Sequence, residues 1–230
     1  MHLTILLSCA LASLCHTYHH SHINNLMKKV VKNEKYDSDV MPSEDEVLQI
    51  NISLHLEQVL GVNEKDQTLS SLIYNIVTWH DERLAWDPHE NGGIKELNVP
   101  NTNIWKPDII LQNSANGFFF ASEMDQTSLI RIYHTGAIVW HPVYKSETYC
   151  QLDTSFYPFD THTCDYWYSN WMHNTNTMTI KSKGIKSINN LTSDSTEWNI
   201  LNFYAPIENY SIVLEEYSEE YSFSRFSIKI

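Results

Sequence analysis

Cys-Gln-Leu-Asp-Thr-Ser-Phe-Tyr-Pro-Phe-Asp-Thr-His-Thr-Cys, residues 150–164, is the stretch around which the rest of this chain is organised. The sequence holds four cysteines, and two of them, Cys9 and Cys15, lie in an apolar N-terminal run. With that run removed, Cys150 and Cys164 have one possible pairing. Closing a loop of this size takes about 3 kcal/mol of freedom from the unfolded chain on an entropic account. Such a staple suits a domain that already has a core. Within the loop, Phe156, Tyr157 and Phe159 surround Pro158, whose ring fixes its own φ and drives Tyr157 towards extended geometry. A stiff loop with an apolar tip is expected. On spacing alone, a generic disulfide-tied hairpin fits these residues equally well.

Outward from the loop, hydrophobic periodicity reads as strands. Leu48, Ile50, Ile52, Leu54 and Leu56 alternate with Gln49, Asn51, Ser53, His55 and Glu57, the period of a half-buried strand. A turn over Gly61–Asp66 leads to a second strand at Leu69–Trp79. Further strand-like runs are read at Ile109–Leu111, Leu129–Tyr133, Ala137–Val143, Asp165–Trp171, Met178–Ile180, Trp198–Phe203 and Tyr221–Ile230. Only Leu26, Met27, Val30 and Val31 recur at helical spacing, within Ile23–Lys32. One short N-terminal helix, an acidic connection over Asp37–Glu46 and many short strands predict an all-β, immunoglobulin-like antiparallel β-sandwich in a single domain.

The 230 residues are 42% hydrophobic and 19% charged, ordinary values for a globular protein. A formal net charge of -13 disfavours nucleic acid and anionic membrane surfaces, and it favours cationic small molecules. Residues 1–15 read as a secretory signal peptide. Beyond them no apolar run reaches the roughly 20 residues that span a bilayer, so a secreted, extracellular chain without a membrane span is expected. Asn51, Asn190 and Asn209 begin Asn-x-Ser/Thr triplets and are candidate glycosylation acceptors. The histidines of residues 16–22 read as a solvated segment rather than a metal site, and no metal or cofactor is expected. Gly-x-Ser-x-Gly, His-Glu-x-x-His and phosphate-binding glycine loops are all missing, which argues against an enzyme.

The aromatic-Pro-Phe-Asp core, with thirteen residues between the cysteines, resembles the signature loop of the Cys-loop ligand-gated ion channels and of the soluble acetylcholine-binding proteins. Other segments resemble the family's extracellular domain in order and spacing. They are Leu60–Gln67, Trp79-His80-Asp81 with Leu84-Ala85-Trp86-Asp87-Pro88, and Trp105-Lys106-Pro107-Asp108. The resemblance implies a ligand-binding domain over residues 23–230. It also implies a homopentamer, with a small ligand held between neighbouring subunits by aromatic side chains. Electron-rich ring faces attract an organic cation, by roughly 0.5–2 kcal/mol per good contact.

On the principal face, the resemblance assigns ligand contact to Trp171, seven residues after Cys164, and to Tyr210 and Tyr217, spaced as the paired tyrosines of the family's closing loop. On the complementary face it assigns Tyr74, in a position usually held by tryptophan, with Val139 and His141 from one strand. Two departures qualify the match. Ile212 and Val213 stand where the acetylcholine-type principal subunit has adjacent cysteines, and Gln112 stands where the family usually has a cage tyrosine. Losing that ring weakens quaternary-ammonium binding, while the amide suits a more polar ligand. An acetylcholine-like amine is the default ligand. Two readings of the whole chain follow: a secreted soluble binding protein, or the extracellular part of a cation-channel subunit. The signal peptide favours the first, which is the preferred reading, while the apolar loop tip and the Asn63-Glu64-Lys65 turn favour the second.

Overall fold

In the computed structural model, residues 21–42, 46–117, 128–157, 159–187, 198, 200–204, 210–214 and 219–230 are described, with the backbone alone for 185–187 and 210–214. A helix, α1, covers residues 21–30. Leu26, Val30 and the following Val31 are buried, so the helix lays one apolar stripe on the sandwich.

Twelve strands follow: β1 Leu48–Asn63, β2 Thr68–His80, β3 Glu96–Pro100, β4 Ile109–Leu111, β5 Leu129–Tyr133, β6 Ala137–Trp140, β7 Val143–Tyr149, β8 Thr163–Asn170, β9 Met178–Ser187, β10 Asn202–Tyr204, β11 Tyr210–Leu214 and β12 Glu219–Lys229. A seven-stranded sheet runs β3-β5-β6-β2-β1-β9, with β7 also paired to β2. A five-stranded sheet runs β10-β12-β8-β4, with β11 on β12. The alternation in β1 does what its period requires: Leu48, Ile50, Ile52, Leu54 and Leu56 all face the core, with Leu69, Ile73 and Val77 of β2 beside them. Tyr166, Tyr168, Phe226 and Ile228 close the core from the other sheet.

Two buried polar chains cross between the sheets. Tyr166 Oη lies 2.8 Å from Ser71 Oγ, itself 2.8 Å from Ser146 Oγ. Tyr144 Oη donates to Asn75 Oδ1 and lies 2.9 Å from Tyr168 Oη. Buried hydroxyls need such partners, because an unsatisfied one forfeits its hydration. Cys150 and Cys164 are bonded, with an S–S distance of 2.01 Å.

The sandwich is as expected, with corrections of detail. β9 pairs with β1 in parallel, so the seven-stranded sheet is mixed rather than antiparallel. The run Ala137–Val143 is two strands, since His141 and Pro142 separate β6 from β7 and proline has no N–H to give a ladder. β1 runs on through Gly61 to Asn63, with register shifts at Leu56/Gln58 and Val59/Gly61, so the turn starts later than expected. Asn63 Oδ1 holds that turn by accepting from the backbone N–H groups of Lys65 and Asp66, each at 3.1 Å. β8 stops at Asn170, one residue short of Trp171. β9 continues well past Ile180, and β10 begins at Asn202 rather than Trp198. β3, β7 and β11 had no strand reading of their own.

Candidate ligand-binding site

Trp171 stands just past the end of β8, where the chain leaves the five-stranded sheet, and its residue is 39% exposed. Asp108 braces this corner. Its backbone carbonyl accepts from Trp171 N–H at 3.2 Å, and its Oδ2 accepts from Met172 N–H at 2.6 Å. Its Oδ1 lies 2.9 Å from His173 Nδ1. The indole is therefore presented from a tied corner rather than from a free loop. Asp108 and His173 were not anticipated as parts of the site. The signal was present in the Trp105–Asp108 motif, but the role of its carboxylate depends on β4 pairing with β8.

Gln112 follows β4. Its backbone N–H bonds to Trp167 O at 2.8 Å, and its Nε2 donates to Ser169 Oγ at 2.6 Å. Because β4 sets Ile109 opposite Asn170, Gln112 lies along the same pair of strands as Trp171, a few residues away. Tyr210 opens β11 and its backbone is paired with Phe223 of β12, which puts it on the sheet that carries Trp171. Ile212 and Val213 continue β11, opposite Tyr221 and Glu220. Tyr217, Asn190, Asn209 and the leader over residues 1–15 lie outside the described residues. Asn51 is on β1, where its Oδ1 accepts from Gln49 Nε2 at 3.1 Å.

The second group is on the other sheet. Tyr74 alternates with buried Ile73 on β2 and so points away from the core. Its ring stacks on buried His55 of β1 with centroids 4.5 Å apart, and on His141 at 6.3 Å. Burial, and then the negative charge of Glu57, raise the Tyr74 pKa. Val139 sits in a cross-strand row, opposite Thr78 of β2 and Arg131 of β5, with Arg131 in turn opposite Asn98 of β3. Asn98, Leu129, Arg131, Tyr133, Val139 and His141 line a groove of about 420 Å³. The His141 pKa is lowered, first by burial and then by the charge of Arg131. Arg131, Tyr133 and Asn98 were missed, although alternation along Leu129–Tyr133 and the His134-Thr135-Gly136 turn could have put Arg131 on the face of Val139. Within one chain, Trp171 and Gln112 are thus on elements of one sheet and Tyr74, Val139 and His141 on the other.

Fold and side chains define a β-sandwich ligand-binding domain that presents an indole corner from one sheet and an aromatic-imidazole strip from the other. Residues 23–229 match the neurotransmitter-gated ion-channel ligand binding domain, and the chain belongs to that family, one of receptors and not of enzymes. It is 33% identical over 161 residues to acetylcholine receptor subunit alpha-L1 of Schistocerca gregaria, covering 66% of this chain and 28% of that protein. Against acetylcholine receptor subunit alpha-1-A of Xenopus laevis it is 30% identical over 176 residues, covering 76% of this chain and 37% of the relative. Against acetylcholine receptor subunit beta-like 1 of Drosophila melanogaster it is 31% identical over 163 residues, covering 70% and 31%. The chain thus aligns to about a third of the length of these relatives. Among the described residues no helix is long and apolar enough to cross a membrane, and no group of three or more His, Cys, Asp or Glu could hold a metal.

Proposed function

We propose that this chain is an extracellular ligand-binding protein that assembles as a homopentamer and binds a small amine between adjacent copies. In this reading Trp171, Gln112, Tyr210 and Tyr217 of one copy face Tyr74, Val139 and His141 of the next. The observation that carries it is the braced, part-exposed indole of Trp171 at the end of β8. A large aromatic ring held in place yet left open to water suits a cation that the ring face attracts. The acetylcholine receptor subunits among the relatives support an acetylcholine-like amine as the first ligand to try. Residues 1–15 act as a secretion signal in this reading.

Intrinsic tryptophan fluorescence, followed during titration with acetylcholine and then nicotine, tests the proposal. Saturable quenching in the wild type and its loss in Trp171→Ala, with the oligomer intact in both, is the expected result. Saturable quenching that survives in Trp171→Ala would sink the proposed site, and loss of the oligomer in that variant would make Trp171 structural.

A second reading, the extracellular part of a channel subunit, has an observation of its own. Phe156, Tyr157 and Phe159 are 76%, 73% and 88% exposed at the tip of the disulfide loop. Three water-exposed rings in one loop favour a further apolar surface that covers them. Sequencing the transcript past the Ile230 codon separates the two readings: an open frame entering an apolar segment supports the second, and a stop codon supports the first.

A further inference from the structure

Two Asn-Gly pairs occur in the sequence, Asn91-Gly92 and Asn116-Gly117. An asparagine followed by glycine reacts with itself in water when its geometry allows. The backbone nitrogen of the glycine attacks the side-chain carbonyl carbon, the new N–C bond closes a succinimide ring, and the bond from that carbon to the amide nitrogen breaks. The glycine N–H proton passes to solvent and the departing nitrogen takes one up, so ammonia is released. Water then opens the ring to aspartate or isoaspartate. Glycine favours the attack because no Cβ holds its nitrogen off and because its backbone turns freely. The asparagine must also be able to swing its amide over its own main chain. The fold decides which of the two pairs has that freedom.

Asn91-Gly92 is held. Asn91 is 8% exposed, and its Nδ2 donates to Asp87 O at 2.7 Å. Its backbone N–H bonds to Pro88 O at 3.1 Å and its carbonyl accepts from Ile94 N–H at 3.3 Å, so the main chain is tied on both sides. The ring of His22 from α1 closes over Gly92, 3.1 Å from where a Cβ would stand. Asn116-Gly117 is built the other way. Both residues are exposed. Gly117, at φ +86, has open space where a Cβ would be. The ties at this turn lie upstream of the reacting atoms: Ala115 N–H bonds to Glu147 O at 2.8 Å, and Asn116 N–H to Ser114 Oγ at 3.2 Å. Attack by the Gly117 nitrogen breaks neither bond.

We infer that Asn116 is a self-modification site, converted in the folded protein to aspartate and isoaspartate through attack by the Gly117 nitrogen, while the fold protects Asn91. This chemistry is independent of the interface reading above. Asn116 lies four residues after Gln112, on the segment that follows β4. Conversion replaces its amide with a carboxylate and adds one negative charge to a chain of formal net charge -13. The isoaspartate product also lengthens the main chain by one methylene, directly after the tied Ala115. Time in water, with no partner enzyme, sets the extent of the change.

Purified protein aged in mildly alkaline buffer tests this, folded in one arm and unfolded in urea in the other. Peptide mapping by mass spectrometry follows both asparagines, and enzymatic methylation of isoaspartate gives a second readout. Unfolded, the two pairs are expected to react at similar rates, since the reacting atoms are the same. Folded, Asn116 is expected to stay close to its unfolded rate. Asn91 is expected to slow by about tenfold or more, because it reacts only after local opening has broken its hydrogen bonds. Asn116→Gln, whose longer side chain would have to close a larger ring, is expected to remove the signal at this position and leave Asn91 slow, with thermal melts to verify folding. Folded Asn116 as strongly protected as Asn91, or folded Asn91 reacting as fast as Asn116, would overturn the assignment.

Discussion

Tyr168 and Tyr166 carry their hydroxyls into the layer between the sheets, where each finds a side-chain partner and no bulk water. Because Tyr144 donates to Asn75, the Tyr168 hydroxyl donates to Tyr144 and must keep its proton. Burial raises the Tyr168 pKa to about 12, and the Tyr36 pKa also to about 12, chiefly by burial. Burial likewise pushes Tyr166 up from its ordinary value of 10.0. A group whose folded pKa lies above its unfolded one adds stability that is complete below the unfolded value. That stability is lost as pH climbs to the folded value. Unfolding free energy from urea titrations is thus expected to hold up to about pH 9 and to fall between about pH 10 and 12. Tyr168→Phe should flatten the fall by on the order of 2 kcal/mol. An alkaline limb unchanged in that variant would mean that Tyr168 titrates normally. In the candidate site, Trp171 and Arg131 show the same dependence on neighbours, one set by Asp108 and the other by Asn98, Glu96 and Tyr133.

The β5–β6 hairpin sets the groove at the level of elements. Its turn places Gly136 at φ +85, with Gly136 N–H on Tyr133 O at 2.8 Å and Gly136 O accepting from Asp81 N–H at 2.9 Å. A Cβ there would meet the Asp81 carbonyl oxygen at 2.7 Å, in a backbone region that side chains rarely adopt. Asp81 in turn is buried and paired with Arg83 at 2.8 Å, so its backbone has little room to retreat. Gly136→Ala is expected to cost on the order of 2 kcal/mol in chemical denaturation and to weaken binding at the groove that β5 and β6 build. A variant with wild-type stability would show that the hairpin relaxes freely. The gap at His141–Pro142 belongs to this scale too. It lets β2 pair first with β7 and then with β6, with Asn75 N–H reaching Pro142 O at 3.0 Å, and it leaves His141 beside Tyr74.

At the scale of the molecule, the two halves of the candidate site lie on different sheets, and a second copy would complete the site in the proposed assembly. Such an assembly covers the Trp171 indole. Acrylamide quenching attributable to Trp171, taken as the difference between wild type and Trp171→Phe, is therefore expected to be low in the oligomer. It should rise when dilution gives a single-chain mass by light scattering. Quenching that does not change on dissociation would place Trp171 away from the interface. The net charge of -13 per copy opposes close packing of five copies, so assembly should strengthen with added salt as repulsion is screened.

Local pattern alone determined a good deal of this protein. The period of two in Leu48–Leu56, the helical spacing of Leu26, Val30 and Val31, and the spacing of Cys150 and Cys164 each report a constraint that acts on neighbours in sequence, and each is met in the structure. The position of Trp171 just past its strand could be approached the same way, since it is counted from Cys164. Tertiary structure alone decided the parallel pairing of β9 with β1, because strand direction across a sheet depends on connections that no local pattern records. It also decided that Asp108 braces Trp171 and that Arg131 shares a groove with His141, 63 and 10 residues away respectively. Those contacts exist because β4 pairs with β8 and β5 with β6. Hydrogen bonding across a sheet joins residues by register, and register is settled only when the whole apolar face is buried at once.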